Sequence, residues 1–385
     1  MKKLLSIVLV AVLSLTLFVG CGDSSANGNA STTWKIGGIG PITGDASVYG
    51  IAVKNGIQIA IDEINEAGGI NGVQIEYNFQ DDEHNEEKAV NAYNTLKDWG
   101  MNILIGNVTT APCLAVAPLT AEDNMFQLTP SGSSTEIIKS DNVFQVCFTD
   151  PNQGVGSAQY IGANALAHDV AVIYNSSDVY SSGIYEKFKE EAANQLFEIV
   201  AETSFTNDNK SDFTVQLQQA KDAGAELVFL PIYYQEASMI LTQAEAMDYH
   251  PLFFGCDGLD GLLTLEGFDK SLAEGVVLLT PFVADAEDER TQAFVSTYME
   301  KYGEVPNQFA ADAYDAVYII KAAIEASGAT PGDGYSVICD KLVAAMSTIK
   351  VDGLTGEDMT WSATGEVSKE PKAMVIENGV YTNFQ

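Results

Sequence analysis

Positive charge is what this sequence has least of. Its 385 residues hold 19 Lys and Arg against 53 Asp and Glu, a balance of 19 − 53 = −34, and Arg290 is the only arginine. Phosphate backbones are gripped by clustered Lys and Arg, so this charge excludes a nucleic acid as partner. Docking on anionic lipid through a basic patch falls with it. The acidity itself keeps the chain soluble and carries no message about a ligand. Histidine is scarce as well, with His84, His168 and His250 far apart in the chain. His84 follows Asp81-Asp82-Glu83, which hints at a metal, but no further ligand stands at regular spacing, so the stretch reads as a solvated acidic loop. The sequence has no G-x-x-x-x-G-K-[ST] and no G-x-S-x-G, and Gly38-Ile39-Gly40 runs straight into Pro41 without the third glycine of a dinucleotide loop. No histidine accompanies a hydroxyl-rich loop as a base. The chain reads as a non-enzyme with neither cofactor nor metal, a hydrolase being the enzymatic alternative.

Long apolar runs are missing too, save one. Leu4 to Val19 follows Met1-Lys2-Lys3 and is too short for a comfortable membrane span; its flanks are those of a secretory signal. Phe18-Val19-Gly20-Cys21 resembles a bacterial lipobox, with Phe18 where Leu is more usual. That reading makes 1–20 a signal peptide and Cys21 the lipidated residue; ordinary cleavage with Cys21 as a bystander is the alternative. Residues 21–33, rich in Gly, Ser, Asn and Ala, then form a flexible tether. The mature chain would be lipid-anchored to a membrane without spanning it. Cys113, Cys147, Cys256 and Cys339 show no C-x-x-C spacing and read as buried thiols, a Cys113–Cys147 bridge remaining the alternative.

What is present is apolar rhythm. Hydrophobic residues make up 46%, enough for a packed core. Short apolar runs alternate with amphipathic stretches, placing strands over 35–40, 74–79, 102–106, 125–128, 143–147, 169–174, 198–203, 227–231, 251–255 and 276–280. Continuously apolar Leu227-Val228-Phe229-Leu230 suits a parallel strand covered on both faces. Val53, Ile57, Ala60, Ile61 and Ile64 share a helix face that ends at Ala67-Gly68-Gly69. Three helical stretches follow the last of those strands, near 288–302, 308–327 and 333–347, and the tail from Val351 reads as short antiparallel strands. Ten strands are too many for one comfortable sheet of this kind, so the fold class is α/β with two doubly wound parallel-sheet lobes.

In such sheets ligands sit beyond the carboxyl ends of strands. Gly106-Asn107-Val108-Thr109-Thr110 and Thr129-Pro130-Ser131-Gly132-Ser133-Ser134-Thr135-Glu136 put hydroxyls before expected helices. They read either as a neutral anion site of hydroxyls and free N–H groups, or as caps, Ser133 to Glu136 fitting a capping box. The later half supplies Asp178 to Ser182, Ile232 to Glu236 and Cys256-Asp257-Gly258. A carboxylate there can hold an ammonium group, with tyrosines as walls, or Asp257 can simply serve a turn.

These loops carry a resemblance. Ile36-Gly37-Gly38-Ile39-Gly40-Pro41-Ile42-Thr43-Gly44, Ala60 through Gly72, Asp81-Asp82, Thr129-Pro130-Ser131, Phe309 through Ala316 and Gly353-Leu354-Thr355-Gly356 resemble the type I periplasmic-binding proteins, leucine/isoleucine/valine branch, over about 34–380. The resemblance implies two lobes joined by three crossovers, near 149–151, 281–284 and 350: lobe 1 over 34–149 plus 284–350, lobe 2 over 150–283 plus 351–385. It implies that Thr110 and Ser133, beside Thr109, hold an α-carboxylate, and that the Ser131 carbonyl and Asp257 accept from the ammonium. It sets Tyr49, Tyr180, Tyr233 and Phe309 around the ligand. Asp257 stands where the branched-chain type has Glu, and Thr109-Thr110 where it has Cys-Ser, so the amino-acid class carries over and the ligand's side chain does not. The function implied is the extracytoplasmic binding component of an ABC importer. Such a chain works as a monomer, closes its lobes on a small, branched-chain or otherwise aliphatic amino acid, and delivers it to a membrane permease. A ligand-sensing protein presenting its ligand to a membrane receptor is the alternative.

Overall fold

The computed structural model describes residues 32–384. The leader over 1–20, Cys21 and most of the tether over 21–33 lie outside the described residues. Two sheets organise the rest. The first takes the order β2 (Ile75–Asp81), β1 (Trp34–Gly40), β3 (Ile103–Gly106), β4 (Gln127–Thr129), β5 (Val143–Gln145), all parallel. The second takes the order β12 (Val380–Asn383), β11 (Lys372–Glu377), β10 (Val277–Thr280), β9 (Leu252–Gly255), β8 (Leu227–Leu230), β6 (Asp169–Asn175), β7 (Glu198–Phe205). Its strands are parallel except for the β11–β12 hairpin, which joins β10 antiparallel. Each expected strand is found, and the hairpin is the antiparallel tail.

Helices connect the strands in sequence: α1 (Ser47–Glu66), α2 (Glu86–Trp99), α3 (Thr110–Asp123), α4 (Asp150–Ala163), α5 (Val179–Ala192), α6 (Thr214–Asp222) and α7 (Tyr234–Ala246). After β10 come α8 (Glu289–Tyr302), α9 (Gln308–Ser327) and α10 (Tyr335–Met346). α9 is apolar nearly all round, with 14 buried residues, because it is covered on most sides. It lies so close to α1 that a Cβ on Gly56 would stand 2.1 Å from the Ala310 carbonyl oxygen. A larger residue at 56 has no room there.

The loop after β4 departs from expectation. No α-helix follows it, only a single turn at Ile137–Lys139 whose cap residue, Glu136, makes no side-chain capping bond. The capping box is therefore not formed: Ser134 rather than Ser133 receives the Glu136 N–H. The segment 351–369 bonds to the first sheet's surroundings. Leu354 and Thr355 donate their N–H groups to Asp315 of α9, and Trp361 Nε1 donates to the Gln145 carbonyl at 2.9 Å. Buried Lys369 pairs with Asp312 of α9 at 2.8 Å and donates to Thr355 Oγ1 at 2.5 Å. The four described cysteines are buried free thiols.

Candidate functional site

The β3 and β4 strands are neighbours, so the loops that leave their carboxyl ends open side by side. Thr109 and Thr110 come from the first and Ser131 and Ser133 from the second. Across from them stand Tyr180 at the start of α5, Tyr233 just before α7, and Asp257 just after β9. Tyr49 from α1 and Phe309 from α9 complete the ring.

Eight of the nine expected residues, Tyr49, Thr109, Thr110, Ser131, Tyr180, Tyr233, Asp257 and Phe309, line one cavity with Val108 and Gly258. Its empty space is about 230 Å³, mostly crevices narrower than a water molecule. Ser133 is not in the lining. Its carbonyl accepts the Asp150 N–H at 2.9 Å, and its buried Oγ has no partner among the described residues.

The threonines do not cap. Thr109 precedes α3 without a side-chain capping bond, and the first intrahelical bond runs from Cys113 N–H to the Thr109 carbonyl. The N–H groups of Thr110 and Ala111 precede that bond, and Pro112 has none, so the helix start keeps donors for an anion. Ser131 Oγ donates to the Val108 carbonyl at 2.6 Å, which ties the two loops together.

Asp257 opens a short turn with its backbone, its carbonyl accepting the Asp260 N–H at 2.9 Å, but its side chain does not serve that turn. Its Oδ1 accepts from the Tyr180 hydroxyl at 2.6 Å, and its N–H donates to Gln153 Oε1 at 3.2 Å. Tyr180 in turn accepts the Gly258 N–H at 3.0 Å, so its ring and hydroxyl are fixed. None of these partners is a cation. Burial pushes the Asp257 carboxyl up to about 7, against the Tyr180 hydrogen bond, which lowers it. Asp178, by contrast, is a cap: its carboxylate accepts the Ser181 N–H at 3.0 Å.

Aromatic rings pack as the walls. Tyr180 stacks on Tyr233 with centroids 4.8 Å apart, and Tyr49 meets Phe309 at 4.2 Å. The two halves of the molecule touch around this ring. The Tyr49 hydroxyl donates to the Gly258 carbonyl and accepts the Tyr234 N–H at 3.1 Å. Val48 N–H donates to the Tyr234 hydroxyl at 3.3 Å. Gln308, at the start of α9, donates its N–H to Asp260 at 2.7 Å and its Nε2 to the Asp257 carbonyl at 3.2 Å. At the rim Lys210 bridges Asp45 at 2.8 Å and Glu236 at 3.2 Å.

One neighbour was missed in the sequence. His84 is no solvated loop residue: its Nδ1 lies 2.8 Å from Thr109 Oγ1, and its ring meets Tyr233 edge-on at 5.6 Å. Burial, then Lys210, lowers its pKa to about 4. No periodicity or motif marks such a residue, because the loop that carries it is set by contacts distant in sequence.

The model of a family described as periplasmic binding protein matches residues 33–379. Leu/Ile/Val-binding protein homolog 3 of Brucella melitensis is 28% identical, over 92% of this chain and 95% of its own. The leucine-, isoleucine-, valine-, threonine- and alanine-binding protein of Pseudomonas aeruginosa is 26% identical over 78% of this chain and 80% of its own. Among solved structures, the branched-chain amino acid transporter substrate-binding protein LivJ of Streptococcus pneumoniae, in complex with isoleucine, superposes with a TM-score of 0.82. It is 28% identical and covers 91% of this chain and 97% of its own. The leucine-binding protein LivK of Thermotoga maritima gives 0.80 at 26% identity, over 92% and 98%. With its two sheets, its facing loops and these relatives, the chain belongs to the periplasmic binding protein family, type I in fold and on its Leu/Ile/Val-binding branch.

Proposed function

We propose that this chain captures a small amino acid, branched-chain or otherwise aliphatic, between two closing lobes and delivers it to an ABC permease. One observation carries the reading: the cavity sets neutral hydroxyls and helix-start N–H groups opposite a buried carboxylate that has no cationic partner among the described residues. A zwitterion supplies what each end lacks. Its carboxylate meets Thr110, Thr109 and the N–H groups of the α3 start, and its ammonium meets Asp257 and the Ser131 carbonyl. Ser133 stands behind that wall, and its hydroxyl reaches the ligand if the loop after β4 turns on binding. Tyr49, Tyr180, Tyr233 and Phe309 enclose the side chain. Closure excludes water, so both ligand charges must be paired in full. The ligand biases the open–closed balance by the difference of its affinities for the two forms. The Pseudomonas aeruginosa relative named for binding leucine, isoleucine and valine, and LivJ in complex with isoleucine, support this substrate class.

The lobes of this reading follow the two sheets. Since 351–369 bonds to Asp315 and Gln145, the third crossover belongs near 370 rather than at 350. The mature protein is a monomer held to the outer face of the cell membrane by lipid on Cys21. A thermal-shift screen of the chain from residue 32 against the common amino acids tests the reading, since a ligand that binds the folded form raises the melting temperature. A rise with leucine, isoleucine or valine is expected; a rise with sugars alone sinks the proposal.

A further inference from the structure

His84 lies between the two halves of the cavity wall, and neither its burial nor its contacts are explained by core packing. Its backbone is left-handed, with φ 55°, a region that costs non-glycine residues energy and that histidine tolerates better than most. The position is held from below. The Asp82 carboxylate accepts the His84 N–H at 3.0 Å and the Asn107 amide at 2.9 Å, and so clamps the loop after β2 to the loop after β3. So anchored, the ring reaches two cavity residues at once. On its own side of the cleft it shares a hydrogen bond of 2.8 Å with the Thr109 hydroxyl. On the opposite side its ring stands perpendicular to that of Tyr233, at 5.6 Å and 90°. Tyr233 stacks on Tyr180, whose hydroxyl orients Asp257. An unbroken path of contacts thus runs from Thr109 through His84, Tyr233 and Tyr180 to Asp257, around the outside of the cavity.

We propose that His84 is a positioning residue of the ligand site, which fixes the Thr109 hydroxyl at the carboxylate end and braces Tyr233 of the other half in the closed form. This rests on reading the cavity as an amino-acid site. The two duties separate chemically. The hydrogen bond is made whether the lobes are open or closed, because both partners belong to the first sheet's loops. The ring contact is made only when Tyr233 is brought up, so it favours closure and slows ligand escape. A neutral imidazole can do both: it can donate to or accept from the hydroxyl, and its ring can meet another edge to face.

The test uses two partial replacements, with isoleucine and leucine as probes. His84→Phe keeps an aromatic ring and removes the hydrogen bond; His84→Gln keeps a hydrogen-bonding group and removes the ring. Thermal melts without ligand establish that each is folded, and either one alone suffices if the other is not. Calorimetry is expected to show His84→Phe binding on the order of tenfold more weakly, the size of one lost hydrogen bond. His84→Phe is expected to cost nothing further in a Thr109→Val background, since its partner is already gone; a purely structural role would cost the same in both backgrounds. Stopped-flow is expected to show His84→Gln dissociating severalfold faster with an unchanged association rate. If the wild-type chain binds isoleucine or leucine while every variant that folds binds and releases it as the wild type does, the inference fails alone. If the wild-type chain binds neither, while sugars or nothing at all stabilise it, the reading of the cavity fails and takes this inference with it.

Discussion

Replacing Asp257 by asparagine separates what the site costs the fold from what it gives the ligand. The amide is nearly isosteric and can still accept from the Tyr180 hydroxyl 2.6 Å away, so the cavity keeps its shape and only the charge is lost. Folding raises this carboxyl from an ordinary 3.8 to about 7. The sign follows: its protonated form is favoured in the folded state, so that stability is complete below 3.8 and is lost as pH rises through about 7. At pH 8 the ionised carboxylate is a burden with an upper limit of about 4 kcal/mol. Asp257→Asn is therefore expected to melt several degrees higher than the wild type at pH 8 and no higher at pH 4. Binding moves the opposite way. A hydrogen bond to a charged partner contributes about 1.5–3 kcal/mol, so the variant is expected to bind its amino acid roughly 10- to 150-fold more weakly at pH 8. The wild type carries a second signature. Its carboxyl must be ionised to receive an ammonium, so from pH 8 to pH 6 its affinity falls about tenfold as the charged fraction drops, while that of the variant stays flat. Calorimetry at pH 6, 7 and 8 reads both effects. Equal affinities at pH 8, or the same pH slope in the two proteins, would refute the assignment of Asp257 to the ammonium.

Thr110→Val is expected to weaken binding on the order of tenfold while the melting temperature of the free protein stays within about a degree, because Thr110 caps nothing; a drop in melting temperature with affinity retained would return the hydroxyl to a structural role. Lys369→Met strands Asp312, whose side chain is 3% exposed, without its cation, and urea unfolding is expected to show a loss of about 3–5 kcal/mol. Gly56→Ala drives a methyl group into the Ala310 carbonyl of α9 and is expected to cost about 1–3 kcal/mol in the same measurement; unchanged stability would mean that α1 and α9 can slide apart freely.

The fold was legible because several of its strands are continuously apolar. Leu227-Val228-Phe229-Leu230 is fully buried, as suits a parallel strand covered on both faces. α9 was legible because Ala313, Val317, Ile320 and Ile324 repeat at helical spacing and Gly328 ends it in the left-handed conformation. The loop after β4 misled: Ser133 to Glu136 has the letters of a capping box, but the chain there turns only once before β5, so no helix exists to be capped. Their place after strands brought Asp257 and the tyrosines forward, but an aspartate before glycine reads equally as a turn, and the resemblance chose between the two. His84 was lost for the opposite reason. Its acidic neighbours announced a wet loop, and only the tertiary contacts with Thr109 and Tyr233 show where the ring goes.

Apart from the Lys210–Asp45 pair at the rim, the hydrogen bonds that join the two halves around the cavity share a trait. Those made by Tyr49, Val48, Tyr234 and Gln308 each use a main-chain atom on one side: the Gly258 and Asp257 carbonyls, or the N–H groups of Tyr234, Val48 and Gln308. Main-chain atoms do not change when residues do. Substitutions that retune which cargo is held can therefore accumulate among the lining side chains other than Tyr49 while the manner in which the jaws meet is inherited intact, and a transporter that recognises the shut outline need not evolve in step with each new cargo.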